Sequence, residues 1–454
     1  MKPHQPKPNL PQPLLRRPLL QRPHFSRLSA PFSAGGVFAL LAVLATAPAC
    51  TVEAEANNDD DDGGGGAGGS APVACTGDPE CSLGELCLEN VCSPAPAGWT
   101  IGLGDGSPSS VALTAVYAPE TPMEATDAAF DPIVPNRLWV LLREFESDLV
   151  CQTSSNCPPE AARALEGRTA IIDNPATDQV SVQLITDPNA WHFMRRPTAL
   201  AMTPAGVFAT VHEARTGNFF GDDVDFIGPS LWSTDLNIYG IQPPGLNGSH
   251  LDMLHQTPFG MGIAWSGQGN LFYLFNGNVG AIDYVDFVED HGPGEADHSD
   301  GRYRRFVEGQ LARVPNVPSH LQMADERWLY IADTGNGRIV RLDTTTGVDE
   351  GNITPVYEPL AYQSMVQGAV LEEVVAPGVL SQPSGLAIQD GVLYVSDYAT
   401  NRIVAFDLDG NEVRSLQVDP QLVENGITGL NFGPEGRMLF VEKDAGTVWR
   451  IEPR

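Results

Sequence analysis

One residue pattern occurs twice in this chain without a gap, and it constrains the fold more than any other feature. Residues 329–343 read Leu-Tyr-Ile-Ala-Asp-Thr-Gly-Asn-Gly-Arg-Ile-Val-Arg-Leu-Asp, and residues 393–407 read Leu-Tyr-Val-Ser-Asp-Tyr-Ala-Thr-Asn-Arg-Ile-Val-Ala-Phe-Asp. Each copy has two alternating apolar runs around a turn, which is typical of two antiparallel strands. Internal repetition of this kind predicts a repeat architecture.

The strand–turn pattern recurs four more times in weaker form, which gives six copies in all. In each copy an alternating apolar run ends at one residue, which we call the anchor because it closes the strand and opens the turn. A shorter strand, rich in small residues, precedes each anchor from the second copy onward, as expected for the innermost strand of a propeller blade. The pattern therefore predicts an all-β, six-bladed β-propeller. The six anchors are Arg143, His212, Asn276, Asp333, Asp397 and Glu442.

The propeller is expected to span residues 98–454 and to close through its N-terminal strand. The last repeat runs out of chain before a fourth strand can form, whereas the β-rich run at residues 111–118 belongs to no repeat. We predict that this run completes the sixth blade, because ring closure removes exposed strand edges.

Residues 1–49 have the features of an export signal. They carry six basic residues, no acidic residue, and an apolar run at residues 36–47 that is too short to span a bilayer. Small residues precede Cys50, so we predict cleavage before this cysteine and attachment of lipid to it. Ordinary secretion with cleavage near Ala49 is the alternative. Residues 50–74 contain four consecutive aspartates and a glycine run, which predicts a flexible acidic tether.

Charge and cysteine usage agree with an exported protein. The formal charge of −31 at pH 7 repels nucleic acid and anionic lipid headgroups, which excludes nucleic-acid binding. Apart from Cys50 the chain has six cysteines, which predicts three disulfides in an oxidising compartment. Four belong to a small module at residues 75–97 whose pairing stays open among three arrangements, and two form a local pair in an insertion. They are Cys75, Cys81, Cys87, Cys92, Cys151 and Cys157.

Histidines near the starts of innermost strands form a first candidate metal site. His192, His255 and His320 precede these strands in the second, third and fourth blades, on the channel face that also collects the anchors. Imidazoles from neighbouring blades can bind zinc with one position open for water, and His212 or Asp333 could act as a base or further ligand. The alternative is that each histidine is only hydrogen-bonded within its own loop.

A polar loop after the third strand of the third blade forms a second candidate site. Such a loop can bind a divalent cation, although its spacing is not that of an EF-hand, and a self-capping polar loop is the alternative. The blade alignment places it on the face opposite the channel histidines, so we expect two separate sites. Its candidate ligands are Asp290, His291, Asp297, His298 and Asp300.

Residues 329–343 and 392–407 resemble NHL repeats, whereas the other four copies match only in architecture. The segment that ends at Cys50 resembles a bacterial lipoprotein signal, in which Thr51 after the cysteine implies sorting to the outer membrane. The sequence Pro318-Ser-His320 is more distantly similar to the amidating lyases that act on peptidyl-hydroxyglycine, which implies zinc. At the positions where those enzymes carry their other histidines, this chain has Ala199, Gly262, Gly385 and Gly429.

The gluconolactonase and paraoxonase propellers are also distantly similar. This resemblance implies calcium in the channel, bound by carboxylate and amide oxygens. The candidate ligands for calcium are Asp127, Asn276, Asp333, Asp397 and Glu442.

The repeats are strong, whereas catalytic motifs are weak, since the chain has no Gly-x-Ser-x-Gly, P-loop or dinucleotide fingerprint. We therefore expect a monomeric, lipid-anchored extracytoplasmic propeller that binds a ligand or protein partner on its channel face. The alternative is a metal-dependent lyase or hydrolase with zinc or calcium at a channel-face histidine and carboxylate site.

Overall fold

A computed structural model describes residues 73–76, 81, 85–144, 166–175, 177, 179–218, 224–420 and 426–454. The chain divides into residues 1–69 and residues 70–454, and the fold below belongs to the second unit. The predicted signal, most of the tether, Cys50, Cys151 and Cys157 lie outside the described residues. No helix among the described residues is long and apolar enough to cross a membrane.

The cysteine-rich module contains one β-hairpin, formed by β1 (Glu85–Leu88) and β2 (Val91–Pro94). Disulfides join Cys75 to Cys87 and Cys81 to Cys92, which selects one of the three pairings that the sequence left open. Pairing of these thiols in disulfides agrees with the prediction of a disulfide-rich module. A module this small has little core, so cross-links supply its stability.

Six sheets follow the module, and their strands lie in chain order except for three, β3 (Val111–Tyr117), β19 (Val348–Asp349) and β20 (Tyr362–Gln367). Before the first blade comes β3. Within the described ranges the helical segments are three short 3₁₀ turns and one α-helical turn, α1 (Ala190–Phe193). The 3₁₀ turns are Trp99–Ile101, Pro108–Ser110 and Thr334–Asn336. The first blade comprises β4 (Glu124–Phe130), β5 (Arg137–Arg143), β6 (Arg168–Asp173) and β7 (Ser181–Ile185). The second comprises β8 (Pro197–Thr203), β9 (Val207–His212), β10 (Ser230–Ser233) and β11 (Asp252–Met253).

The remaining blades repeat this order. The third contains β12 (Gly260–Trp265), β13 (Leu271–Asn276), β14 (Ala281–Asp286) and β15 (Arg302–Phe306). The fourth contains β16 (Leu321–Met323), β17 (Trp328–Asp333), β18 (Arg338–Asp343) and β21 (Leu371–Val375), with β19 (Val348–Asp349) and β20 (Tyr362–Gln367) in an insertion. The fifth contains β22 (Pro383–Gln389), β23 (Val392–Asp397), β24 (Arg402–Asp407) and β25 (Glu412–Gln417). The sixth contains β26 (Ile427–Phe432), β27 (Met438–Glu442) and β28 (Thr447–Pro453).

The N-terminal strand closes the ring, as predicted. Strand β3 pairs antiparallel with β28, from Val111 opposite Pro453 to Tyr117 opposite Val448. The sixth blade thus obtains its fourth strand from the beginning of the propeller. Each of the six anchors is the last residue of the second strand of its blade, so the six-bladed prediction is confirmed.

Small residues are required in the innermost strands because neighbouring strands approach very closely there. A Cβ atom on Gly262 would lie 1.9 Å from the carbonyl oxygen of Ser319, and one on Gly385 would lie 1.9 Å from that of Thr428. Both distances are far below van der Waals contact, so any larger residue would push the inner strands of neighbouring blades apart. Sheet faces between the blades bury the alternating apolar side chains that identified the strands.

The insertion in the fourth blade was not expected from the sequence. Strand β20 pairs in parallel with β15, with Tyr362 opposite Arg302, and β19 pairs with β20. The third blade therefore becomes a six-stranded sheet whose outer two strands come from the fourth blade. The loop between β19 and β20 reaches the junction of the second and third blades, where Gln256 donates a hydrogen bond to the carbonyl oxygen of Pro355 at 2.8 Å.

Candidate functional site

The aspartate anchors hold their own turns together. Asp333 accepts hydrogen bonds from the backbone N–H of Ala312 at 2.8 Å and from the side chains of Asn336 and Arg338 at 2.8 and 2.7 Å. Asp397 accepts the backbone N–H groups of Ser381 and Gln382, both at 2.9 Å. These contacts already satisfy both carboxylates, so we assign Asp333 and Asp397 structural roles and no metal.

Both ring nitrogens of His212, which the sequence suggested as a base or ligand, have hydrogen-bond partners. Its Nδ1 donates to the carbonyl oxygen of Gly228 at 3.0 Å, and its Nε2 lies 3.0 Å from the hydroxyl of Thr210. Because that hydroxyl accepts a hydrogen bond from Trp232, it donates its own proton to Nε2. Burial lowers the pKa of His212 to about 3, so the ring is neutral and both nitrogens are used.

The other anchors are engaged in the same way. Asn276 donates to Asp283 at 2.6 Å and accepts the backbone N–H of Asn278 at 3.0 Å. Glu442 accepts a hydrogen bond from the indole of Trp449 at 2.8 Å. Four of the five candidate calcium ligands, all except Asp127, are thus engaged in hydrogen bonds of their own turns and strands.

His320 lies apart from the other candidate histidines, in the channel. Its Nδ1 is 3.7 Å from Oδ1 of Asp127, which also accepts the backbone N–H groups of Ala128 and Leu200. Burial raises the pKa of Asp127. Both residues line an open cavity in the channel. Gly429 packs on this pair, since a Cβ there would lie 2.7 Å from Asp127 and 3.4 Å from His320.

Two histidines of the first predicted site, His192 and His255, lie beside the polar loop of the second at the junction of the second and third blades, so the expected separation of these residues is wrong. The ring of His255 is 5.4 Å from that of His192 and 5.9 Å from that of His298. The polar loop begins where β14 ends, but it then runs back along β11. His291 N–H donates to the carbonyl oxygen of Leu251 at 3.2 Å, and the N–H of Gly294 donates to that of His250 at 2.8 Å. We call the junction formed by His192, His255, His298 and the polar loop the histidine cluster.

One group of ligand atoms in the histidine cluster comes from three distant chain segments. Atoms of His255, His298 and Glu358 all lie within 4.8 Å of one another. The Nδ1 of His255 donates to the carbonyl oxygen of Phe226 at 2.8 Å, and the Nδ1 of His298 donates to Asp252 at 2.7 Å. Each Nε2 is therefore left unprotonated in the neutral ring. Second-sphere contacts of this kind fix the tautomer of metal-binding histidines.

His192 lies at the edge of this group. Its Nδ1 lies 2.7 Å from the carbonyl oxygen of Gly217, which leaves Nε2 as the acceptor. Burial lowers the pKa of His192 to about 3. A Cβ on Gly217 would lie 3.0 Å from the ring of His255 and 3.3 Å from that of His192, so glycine allows both rings to approach.

A second group of ligand atoms lies beside the first. Asp252, His291 and Asp300 also have ligand atoms within 4.8 Å of one another. Burial lowers the pKa of His291, but the hydrogen bond to Asp300 and the charge of Asp252 outweigh it and raise that pKa overall. Asp290 and Asp297 do not join this group. They cap the exposed backbone N–H groups of Gly292 and Ser299.

Sequence reasoning missed Asp252, His250 and Glu358. The spacing of His250, Asp252 and His255 is a signal that could have drawn attention to the end of the second blade. Nothing around Glu358 marks it, because the insertion that carries it matches no repeat. His250 stacks on Phe193 at 3.6 Å, and burial lowers its pKa to about 4.

The comparisons with known proteins agree with this architecture. A family model described as the NHL repeat matches residues 380–406, which include the second copy of the duplicated pattern. The chain is a six-bladed β-propeller with an NHL repeat in its fifth blade. No curated protein matches its sequence.

Solved structures with similar folds are distant from this NHL-repeat propeller. An auxiliary nutrient binding protein from Bacteroides ovatus is 12% identical, with a TM-score of 0.47 over 76% of this chain and 76% of that one. Regucalcin, a calcium-binding protein from Agrobacterium tumefaciens, is 14% identical, with a TM-score of 0.43 over 76% and 96%. Virginiamycin B lyase from Staphylococcus aureus is 11% identical, with a TM-score of 0.41 over 76% and 100%. We take from these values only a likeness of fold.

Proposed function

We propose that this propeller is an exported, lipid-anchored protein that binds one divalent zinc-type ion at His255, His298 and Glu358. The observation that carries the proposal is the convergence of ligand atoms from two imidazoles and one carboxylate, which belong to three separate chain segments, within 4.8 Å of one another. The two histidine tautomers are already set by Phe226 and Asp252. Two imidazoles and one carboxylate are a common zinc ligand set, and three protein ligands leave a fourth position for water or a ligand.

Contacts with His255 fix the position of Glu358 without a bound metal. Its Oε1 accepts the backbone N–H of His255 at 2.7 Å, and the ring of Tyr357 lies 5.2 Å from that of His255. A site in which the ligands are already oriented loses little conformational entropy when the ion binds. The open fourth position favours the use of the ion to bind or polarise a ligand. We therefore propose the functional site at the blade junction and not on the channel face.

Elemental analysis of the purified, zinc-loaded chain tests the metal site. We expect the Glu358→Gln and His255→Ala variants to hold one zinc ion fewer than the wild type, because each removes one of the three protein ligands of this site. Glu350→Gln is the matched control, since Glu350 is an exposed carboxylate in the same insertion. His320→Gln controls for removal of a histidine outside the cluster. A zinc content equal to that of the wild type in the Glu358 and His255 variants, or the same loss of zinc in both controls, contradicts the proposal.

The lipid anchor is supported by the basic start, the short apolar run and the small residues before Cys50. We expect the mature protein to separate into the detergent phase after extraction, because an acyl chain adds apolar surface that the acidic chain lacks. The Cys50→Ala variant should move to the aqueous phase and lose incorporation of a labelled fatty acid. A detergent-phase Cys50→Ala protein would instead favour another anchor.

A further inference from the structure

We propose that a second divalent cation binds at Asp252, His291 and Asp300, and that Asp252 links it to the first site. The link rests on the zinc site proposed above, whereas the second ligand set stands on its own contacts. The key atom is Oδ2 of Asp252, which is buried and has no hydrogen-bond partner. It lies 4.0 Å from Nε2 of His291. Leaving a buried carboxylate oxygen without a partner is costly, so a positive charge is needed here.

The hydrogen bond between His291 and Asp300 shows which proton the ion would replace. Nε2 of His291 donates a hydrogen bond to Oδ1 of Asp300 at 2.8 Å. Oδ2 of Asp300 accepts the backbone N–H of Glu289 at 3.3 Å. A cation that replaces this proton gains Nε2 of His291, Oδ1 of Asp300 and Oδ2 of Asp252 as ligands. The displaced proton passes to solvent, so binding releases one proton per ion when the ring carried it on Nε2.

Asp252 is a ligand of the second group and a hydrogen-bond partner of the first. Its Oδ1 accepts the Nδ1 proton of His298, whose Nε2 belongs to the zinc set, and its Oδ2 faces His291. A carboxylate that orients a metal-bound imidazole raises the basicity of that ligand, and its loss typically weakens binding about 10- to 100-fold. The second cation therefore binds to the group that orients the first, so occupancy of one site changes the affinity of the other.

The second group suits a harder cation than the first. It offers two carboxylate oxygens and one imidazole, whereas the first offers two imidazoles and one carboxylate. The side chains of His291 and Asp300 are 21% and 32% exposed, so water can complete the coordination. Manganese(II) prefers such oxygen-rich sets, and zinc can occupy both sites because its affinity for most ligand sets is higher.

The test is a count of ions bound to the exported full chain after metal is stripped and restored. We expect two zinc ions per wild-type chain, and one in His291→Ala and in Asp300→Asn. Glu358→Gln should also hold one ion, and this ion should exchange for manganese(II) with a bound-metal EPR signal. Asp252→Asn should lose the second ion and bind the first about 10- to 100-fold more weakly.

The variants separate the two proposals. If His291→Ala and Asp300→Asn hold as many ions as the wild type, the second site is wrong, whatever Glu358→Gln does. If Glu358→Gln loses no ion while His291→Ala loses one, the zinc site is wrong and the second site stands alone. Asp300 is part-exposed, so its replacement by asparagine leaves the core intact, and circular dichroism of each variant checks the fold.

Discussion

Replacement of Arg143 by methionine should destabilise the propeller by about 3–5 kcal/mol, because the arginine neutralises two carboxylates that are buried with it. Its Nε donates to Glu124 at 2.6 Å and its Nη1 donates to Glu213 at 3.3 Å. The side chain of Arg143 is fully buried, and those of the glutamates are 4% and 3% exposed. Lys443 contacts Glu124 at 2.6 Å and Arg313 contacts Glu213 at 2.9 Å, so each glutamate keeps one cation and the expected loss lies at the low end of this range.

The matched control is Arg137→Met, from the same strand. Arg137 pairs with Asp173 at 2.7 Å, but Asp173 is 38% exposed, so loss of this pair should cost at most about 1 kcal/mol. Urea denaturation of both variants at pH 7 gives the two free energies of unfolding. Equal losses would contradict the assignment of a buried charge network.

Acidification adds a second readout for Arg143. Burial raises the pKa of Glu124, but the charges and hydrogen bonds of Arg143 and Lys443 outweigh it and lower that pKa in the folded protein. Without Arg143 the folded-state pKa rises, and protonation then relieves the buried charge. The stability deficit of the variant should therefore shrink as the pH falls from 7 to 5, whereas an unchanged deficit would point to lost packing alone.

Removal of the closing strand should abolish cooperative folding of the ring. A chain that begins at residue 119 lacks β3, which supplies six paired positions on β28 and buries Val116 and Tyr117 in the core between the first and sixth blades. The edge of β28 would then be open, and exposed edges promote aggregation. A chain that begins at residue 98 is the control, because it keeps β3 and the buried Ile101.

Urea unfolding followed by tryptophan fluorescence, together with light scattering, measures this effect. We expect a sharp transition for the longer chain, and a broad or absent transition with increased scattering for the shorter one. A synthetic peptide of residues 107–118 should restore part of the transition, because it offers the same strand in trans. Equal midpoints for the two chains would show that the ring does not need the strand.

Local patterns determined most of the architecture. Alternating apolar runs and the anchors at their ends predicted all six blades, since the period of two residues and the turn after each anchor are local properties. A missing fourth strand and an unclaimed run predicted the closure between β28 and β3. Disulfide formation was expected from cysteine number, but the choice of Cys75–Cys87 and Cys81–Cys92 came only from the fold.

The sequence identified several histidines of the candidate site, but it did not predict that they lie close together. His192, His255 and His298 were singled out from the sequence, but the repeat alignment assigned them to opposite faces of the propeller. That alignment gives the position where a loop begins, and it carries no information on where a long loop goes. The polar loop runs back along β11, where backbone hydrogen bonds to His250 and Leu251 hold it.

Glu358 and the strand order of the third blade were decided by tertiary structure alone. The parallel pairing of β20 with β15 joins residues about sixty positions apart, and no local period encodes such a pairing. The sequence by itself determined an all-β ring of six repeats with its closure and turn anchors, because these depend on periodicity and turn chemistry. Tertiary structure decided which imidazoles and carboxylates meet, because their meeting depends on the paths of long insertions between blades.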